Sequence, residues 1–170
     1  MRTQQKFMTV AVAGGLMLSG GALTACGNTV ENAVEQAAGD AIDGDVDVDL
    51  DNGGISITSS DGTQVQIGGN ATIPDSWPSA IPVFEGGTLA SVTASADGAS
   101  VSAVWFTDQA PADAIASYDA LMTAAGYVPA ENVVVGLDAA RYTGNGYTVS
   151  TLATETDGKT TLVLSGEKGT

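Results

Sequence analysis

Residues 88–126 read TLASVTASADGASVSAVWFTDQAPADAIASYDALMTAAG, and two different hydrophobic periods follow one another inside that stretch. From Thr88 to Ala96 and from Ala99 to Phe106 apolar and small polar residues alternate, the period of a strand with one buried face. Asp97-Gly98 stands between the two runs and is a dipeptide that tight hairpin turns favour. Pro111 then suits the first turn of a helix, where its missing N–H costs nothing, and Gly126 suits a helix end. The spacing of Ile115, Tyr118, Leu121, Met122 and Ala125 predicts one apolar helix face. A hairpin followed by one amphipathic helix predicts an α+β fold in which the helix covers one side of an antiparallel sheet.

Towards the C-terminus, strands are expected around Tyr127–Val135, Ala139–Thr143, Tyr147–Ala153 and Thr160–Ser165, with turns at Gly144-Asn145-Gly146 and Asp157-Gly158. The expected order is β-β-α-β-β-β, with three or four strands after the helix. Towards the N-terminus, Pro74, Pro78 and Pro82 recur every fourth residue and forbid regular pairing, so Ile73–Val83 is expected as an extended strap packed through Trp77, Ile81 and Val83. Before the strap, Asp45-Val46-Asp47-Val48-Asp49-Leu50-Asp51 alternates strictly, Ile55-Ser56-Ile57 and Val65-Gln66-Ile67 follow, and Asn52-Gly53 and Asp61-Gly62 lie between. This predicts a three-stranded meander over about residues 45–67. Val30, Ala33, Val34, Ala37 and Ala41 recur at helical spacing, with Glu31 and Glu35 near the start where they complement the helix dipole, so residues 29–42 are expected as a short tether helix.

The first residues form an export signal. Arg2 and Lys6 give a positive start, and the run from Phe7 to Ala22 is apolar or small, but it is broken by Gly14, Gly15, Gly20 and Gly21. It falls short of the roughly 20 strongly apolar residues of a spanning helix. Leu23-Thr24-Ala25-Cys26 then resembles the lipobox of bacterial lipoprotein precursors: an aliphatic residue, two small residues and a cysteine, the only one in the chain. That resemblance implies a diacylglyceryl (palmitate-bearing) thioether on Cys26 and cleavage after Ala25. A thiolate is the nucleophile such a modification needs, and two acyl chains, each buried methylene adding about 0.8 kcal/mol, anchor stably where one does not. The expected organisation is a signal peptide at 1–25, a lipidated tether with a short helix at 26–43, an acidic β-meander at 44–70 and an α+β domain with its proline strap at 71–170.

The proline strap, the hairpin after it, and the helix that runs from Ala116-Ser117-Tyr118 through Leu121 to Ala125-Gly126-Tyr127 resemble a family of membrane-anchored lipoproteins of high-GC Gram-positive bacteria with a C-terminal α+β domain. The likeness covers roughly residues 44–165. It implies a fold and a location, the cell membrane at its extracytoplasmic face, and carries no activity or catalytic residues with it.

Charge and composition narrow the functions available. The formal net charge is −15; removing residues 1–25 takes Arg2 and Lys6 and no acid, leaving 20 acids against Arg141, Lys159 and Lys168, a net charge of −17. Such a surface repels phosphates, so nucleic acid and anionic headgroups are poor partners, and the membrane is reached through the N-terminal lipid. One cysteine allows no intrachain disulfide. There is no histidine, which removes Ser-His-Asp and Cys-His catalysis and conventional zinc sites. Carboxylate-only chemistry, a Ser/Lys pair and hard-cation binding remain, and no cofactor is expected.

Four candidate sites follow from those remaining chemistries. Asp45, Asp47, Asp49 and Asp51 form a dense set of carboxylates suited to calcium. Counted as a calcium loop from Asp47, however, the sixth position is Asn52 and the twelfth Thr58, where such a loop has Gly and Glu. Alternate residues on a strand stand about 7 Å apart, too far for one ion, so a solvated charged face that guards the sheet edge is the simpler reading. Ser165-Gly166-Glu167-Lys168 has Ser-x-x-Lys spacing but lacks its companion motifs. Asp108 and Asp113 would serve a glycan hydrolase only across a cleft; one of them more simply complements the helix N-terminus. Trp77, Trp105 and Tyr147 are either a sugar-stacking platform or core, and core is the plainer reading. The reading that results is a non-enzymatic surface lipoprotein binding a protein or envelope component. Its alternatives are a small carboxylate-dependent glycan hydrolase and a calcium-dependent envelope-binding protein.

Overall fold

A computed structural model describes residues 44–49, 53–69, 71–130 and 138–169. It contains one nine-stranded, wholly antiparallel sheet and one described helix, an α+β architecture. The strands are β1 (Gly44–Asp49), β2 (Gly54–Ser59), β3 (Gln64–Ile67), β4 (Thr88–Ala94), β5 (Ser100–Thr107), β6 (Val128–Pro129), β7 (Asp138–Gly144), β8 (Tyr147–Thr156) and β9 (Lys159–Lys168); helix α1 is Pro111–Ala124. Their order across the sheet is β1-β2-β3-β4-β5-β9-β8-β7-β6. The expected meander is present as β1–β3, and it continues the main sheet, because β3 pairs with β4 from Gln64 opposite Ala94 to Ile67 opposite Ser91. Four strands follow the helix, the larger of the two expected numbers, and the one expected around Tyr127–Val135 is described as β6, Val128–Pro129.

The helix boundaries follow from local chemistry. Ala110 offers no side-chain cap, and Pro111 begins the helix with a fixed φ and no orphan donor. At the other end Tyr127 N–H donates to Met122 O at 2.9 Å and Gly126 N–H to Thr123 O at 3.0 Å. With Gly126 at φ +85° this is a Schellman motif, and any side chain there would be strained. The buried stripe is Ala114, Tyr118 and Met122, flanked by Ile115 and Ala125. Leu121, expected on this face, is 37% exposed, because the stripe recurs every fourth residue and leaves position 121 at its margin. The paired positive φ values that a two-residue turn requires occur at Asn145-Gly146 and Asp157-Gly158. At Asp61-Gly62 and Asp97-Gly98 only the glycine has positive φ; each aspartate instead accepts the N–H two residues on, from Thr63 at 2.9 Å and from Ala99 at 3.0 Å.

The core lies between α1, the proline strap and one side of β4, β5 and β7–β9. Val92, Ala94, Val101, Ala103, Trp105, Leu162, Leu164, Val149, Ala153 and Tyr142 are buried there, and Trp77, Ile81 and Phe84 of the strap complete it. Trp105, Phe84, Tyr118 and Tyr142 make a chain of edge-to-face aromatic pairs with centroids 6.0, 6.4 and 6.3 Å apart, the arrangement ring quadrupoles favour. The strap is held by directed bonds: Trp77 Nε1 donates to Ile81 O and the Tyr118 hydroxyl to Pro82 O, each at 2.9 Å. Gly166 allows the close approach. A Cβ there would stand 2.9 Å from both Ile81 Cδ1 and Val101 Cγ2.

Candidate functional site

Register assigns each strand residue to the helix side or to the open side of the sheet. On β5, Val101, Ala103, Trp105 and Thr107 are buried on the helix side, so Ser102, Val104 and Phe106 face the open side. The pairing carries this assignment outward: Val104 stands opposite Val163, and Val163 opposite Leu152. In the other direction Val104 stands opposite Ser91, Ser91 opposite Ile67, and Ile67 opposite Ile55. A row that is apolar except for Ser91 therefore crosses the sheet from the meander to β8, and its members are mutual cross-strand neighbours. Ile55, Ile67 and Leu152 in this row, and Phe106 beside it, are 41%, 48%, 37% and 49% exposed. In the meander a second apolar row, Val46, Ile57 and Val65, runs alongside.

The register shift between Leu89 and Ser91 places an extra residue, Ala90, in β4. An open groove of about 510 Å³ forms beside it, lined by Ile67, Leu89, Ala90, Val104 and Phe106 with the glycines that follow β3. The neighbouring turn is fixed from the helix side, where the buried Thr107 hydroxyl donates to Gly86 O.

Charge is distributed unevenly between the two sides. Among the described strand residues, those of the open side include only Arg141, Lys159 and Glu167 as charged groups. The chain as a whole has 20 acids and 5 bases. Lys159 is engaged at the rim, its Nζ 2.6 Å from Asp108 Oδ1, in a pair exposed on both partners and so worth little to stability. Asp45, Asp47, Asp138 and Glu155 occupy strand positions of the other side. The open side thus combines exposed aliphatic and aromatic groups, abundant Ser and Thr hydroxyls and almost no acid.

The other candidate residues are dispersed. Asp45 and Asp47 line a shallow, polar depression of about 390 Å³ with Ser56 and Thr58. The Asp49 side chain and Asp51 lie outside the described residues. Among the described residues no three His, Cys, Asp or Glu groups stand together at metal-binding spacing. Ser165 and Lys168 both belong to β9, where residues three apart point to opposite sides roughly 10 Å from one another, so the Ser-x-x-Lys spacing brings no lysine to the hydroxyl. Asp113 sits in the first turn of α1, as its dipole favours, while Asp108 is bound to Lys159. Trp77 and Trp105 are core residues, and Tyr147 is half-buried with its hydroxyl donating to Gly98 O at 3.1 Å. Leu23, Thr24, Ala25 and Cys26 lie outside the described residues, and no described helix is long and apolar enough to cross a membrane.

The tyrosines behind the sheet are perturbed by structure. Burial holds Tyr118 well above the ordinary phenol range, and burial together with the nearby Asp119 charge pushes Tyr142 up to about 12. These groups stay neutral at physiological pH and belong to the packing of the helix. The open apolar side has one sequence signal: Val104 and Phe106 occupy outward positions of β5 where Ser100 and Ser102 are polar. Set against models of protein families, curated proteins and solved structures, the chain matches none of them.

Proposed function

We propose that the protein is a non-enzymatic binding module, held at the extracytoplasmic face of the cell membrane by a diacylglyceryl group on Cys26, and that the open side of its sheet receives a protein partner with a neutral apolar surface. The observation that carries this reading is the charge-poor apolar side itself. A chain of net charge −15 that keeps its acids off one side of its sheet, Glu167 excepted, leaves that side free to meet another apolar surface without desolvating carboxylates. An interface core is depleted in charge and enriched in aromatic residues, and Phe106 above the groove at Ile67 and Val104 supplies the anchor. The membrane-anchored lipoproteins that the sequence resembles support the location.

Two arms test the reading. Cys26→Ser should release the protein from the membrane fraction and abolish the lipid mass on its N-terminal peptide; unchanged retention with no lipid mass on the wild-type peptide refutes the anchor. A photo-crosslinking residue at position 106 or 152 in the membrane-borne protein should give one discrete adduct that the same residue at position 155 does not. Equal adduct patterns from all three positions refute the binding side.

A further inference from the structure

The meander is built inside out relative to the rest of its own sheet. In β5, β8 and β9 the buried residues point to the helix side. In β1–β3 the same side carries Asp45, Asp47, Ser56, Thr58, Gln64 and Gln66, and the apolar set Val46, Ile55, Ile57, Val65 and Ile67 points the opposite way. A strand pattern that alternates this strictly fixes its register by burying its apolar face, yet the only described helix packs on β6–β9. Something must cover the open side of the meander.

The geometry points to residues 29–42 of this chain as that cover, packed as a helix across the open side of β1–β3. These residues lie outside the described ones, and only Asp43 separates them from the start of β1 at Gly44, so they are bound to the sheet edge where the apolar face lies. Their apolar set, Val30, Ala33, Val34, Ala37 and Ala41, recurs at helical spacing, while Glu31, Glu35 and Asp40 fall off that stripe. Small Ala and Val side chains let a helix approach a sheet of Val and Ile closely. At 1.5 Å per residue the segment is about 21 Å long, against about 14 Å for three strands spaced near 4.8 Å, so the whole meander is within its span. The molecule then has two cores on opposite sides of one sheet, and the partner-binding area narrows to Phe106, Val104, Val163 and Leu152. In the lipoprotein reading of Cys26, on which the packing itself does not depend, only Gly27 and Asn28 separate lipid from helix, which makes the anchor a fixed arm rather than a flexible spacer.

The test uses the full-length protein, purified from membranes, with Ile57→Cys and one further cysteine, bridged by a short bis-maleimide. Val34→Cys and Ala37→Cys should link to position 57 within one molecule at least tenfold more efficiently than Glu35→Cys and Gln36→Cys. All four variants share the Ile57→Cys background, so a folding defect caused by that change affects them alike, and the melting temperature of each is measured first. Equal linking from both sets of positions overturns the proposal, as does linking that occurs only between molecules, which would give the open side to a second copy. Peptide mapping of the link, which identifies any use of Cys26, separates failure of the anchor from failure of the packing.

Discussion

The two halves of the sheet share hydrogen bonds and differ in which side they bury. From β4 to β9 the buried apolar residues meet α1 and the strap, and Trp105, Tyr118, Leu162 and Leu164 are at most 1% exposed. From β1 to β3 the apolar residues turn to the other side, and Ile55 and Ile67 remain 41% and 48% exposed. Backbone pairing therefore makes one sheet without making one core, and the stability of each half depends on what lies over its own apolar side.

The largest expected effect separates the halves by substitution. Trp105→Ala should cost about 3–5 kcal/mol, the usual range for a large buried aromatic residue, whereas Ile67→Ala, at a position that a helix of small Ala and Val side chains covers less completely, should cost about 1–2 kcal/mol. Chemical denaturation of both variants checks this, and equal losses would dissolve the distinction. Alkaline titration should act on the β4–β9 half alone, because Tyr118 and Tyr142 lie there. Both phenols have raised pKa values in the fold, so above the ordinary value of 10.0 the unfolded chain loses protons that the folded chain keeps. Stability is full below pH 10 and falls as the pH climbs through about 12, which the melting temperature followed together with tyrosinate absorbance will show. A smaller effect is expected from Gly166→Val, whose side chain must displace Ile81 or Val101. That should cost about 1–3 kcal/mol and change Trp77 fluorescence, with β1–β3 unaffected.

Much of this organisation is legible in the sequence because local chemistry determines it. Pro111 and Gly126 bound the helix at both ends, Asn145-Gly146 and Asp157-Gly158 mark their hairpins, and the alternation around Val46, Ile55 and Val65 places three strands within a residue or two of where they lie. Non-local choices are not legible. Ile67 and Thr88 are separated by a proline-rich strap, and nothing in either residue says that β3 and β4 pair across it. The side on which each half buries its apolar residues follows from that pairing, so the alternation of β1 could be seen while its orientation relative to α1 could not. The core roles of Trp77 and Trp105 were readable from their strap and strand positions. The open apolar side was hidden because Val104 and Phe106 sit next to Trp105 and read as part of one apolar run.

Hydrogen exchange of single amides measures the two-core claim most directly, since each half reports its own opening free energy. Deleting residues 29–42, so that Asn28 joins Asp43, should accelerate exchange in β1–β3 at least tenfold and leave β5, β8 and β9 unchanged. Unchanged exchange throughout, or equal acceleration in both halves, would contradict the account.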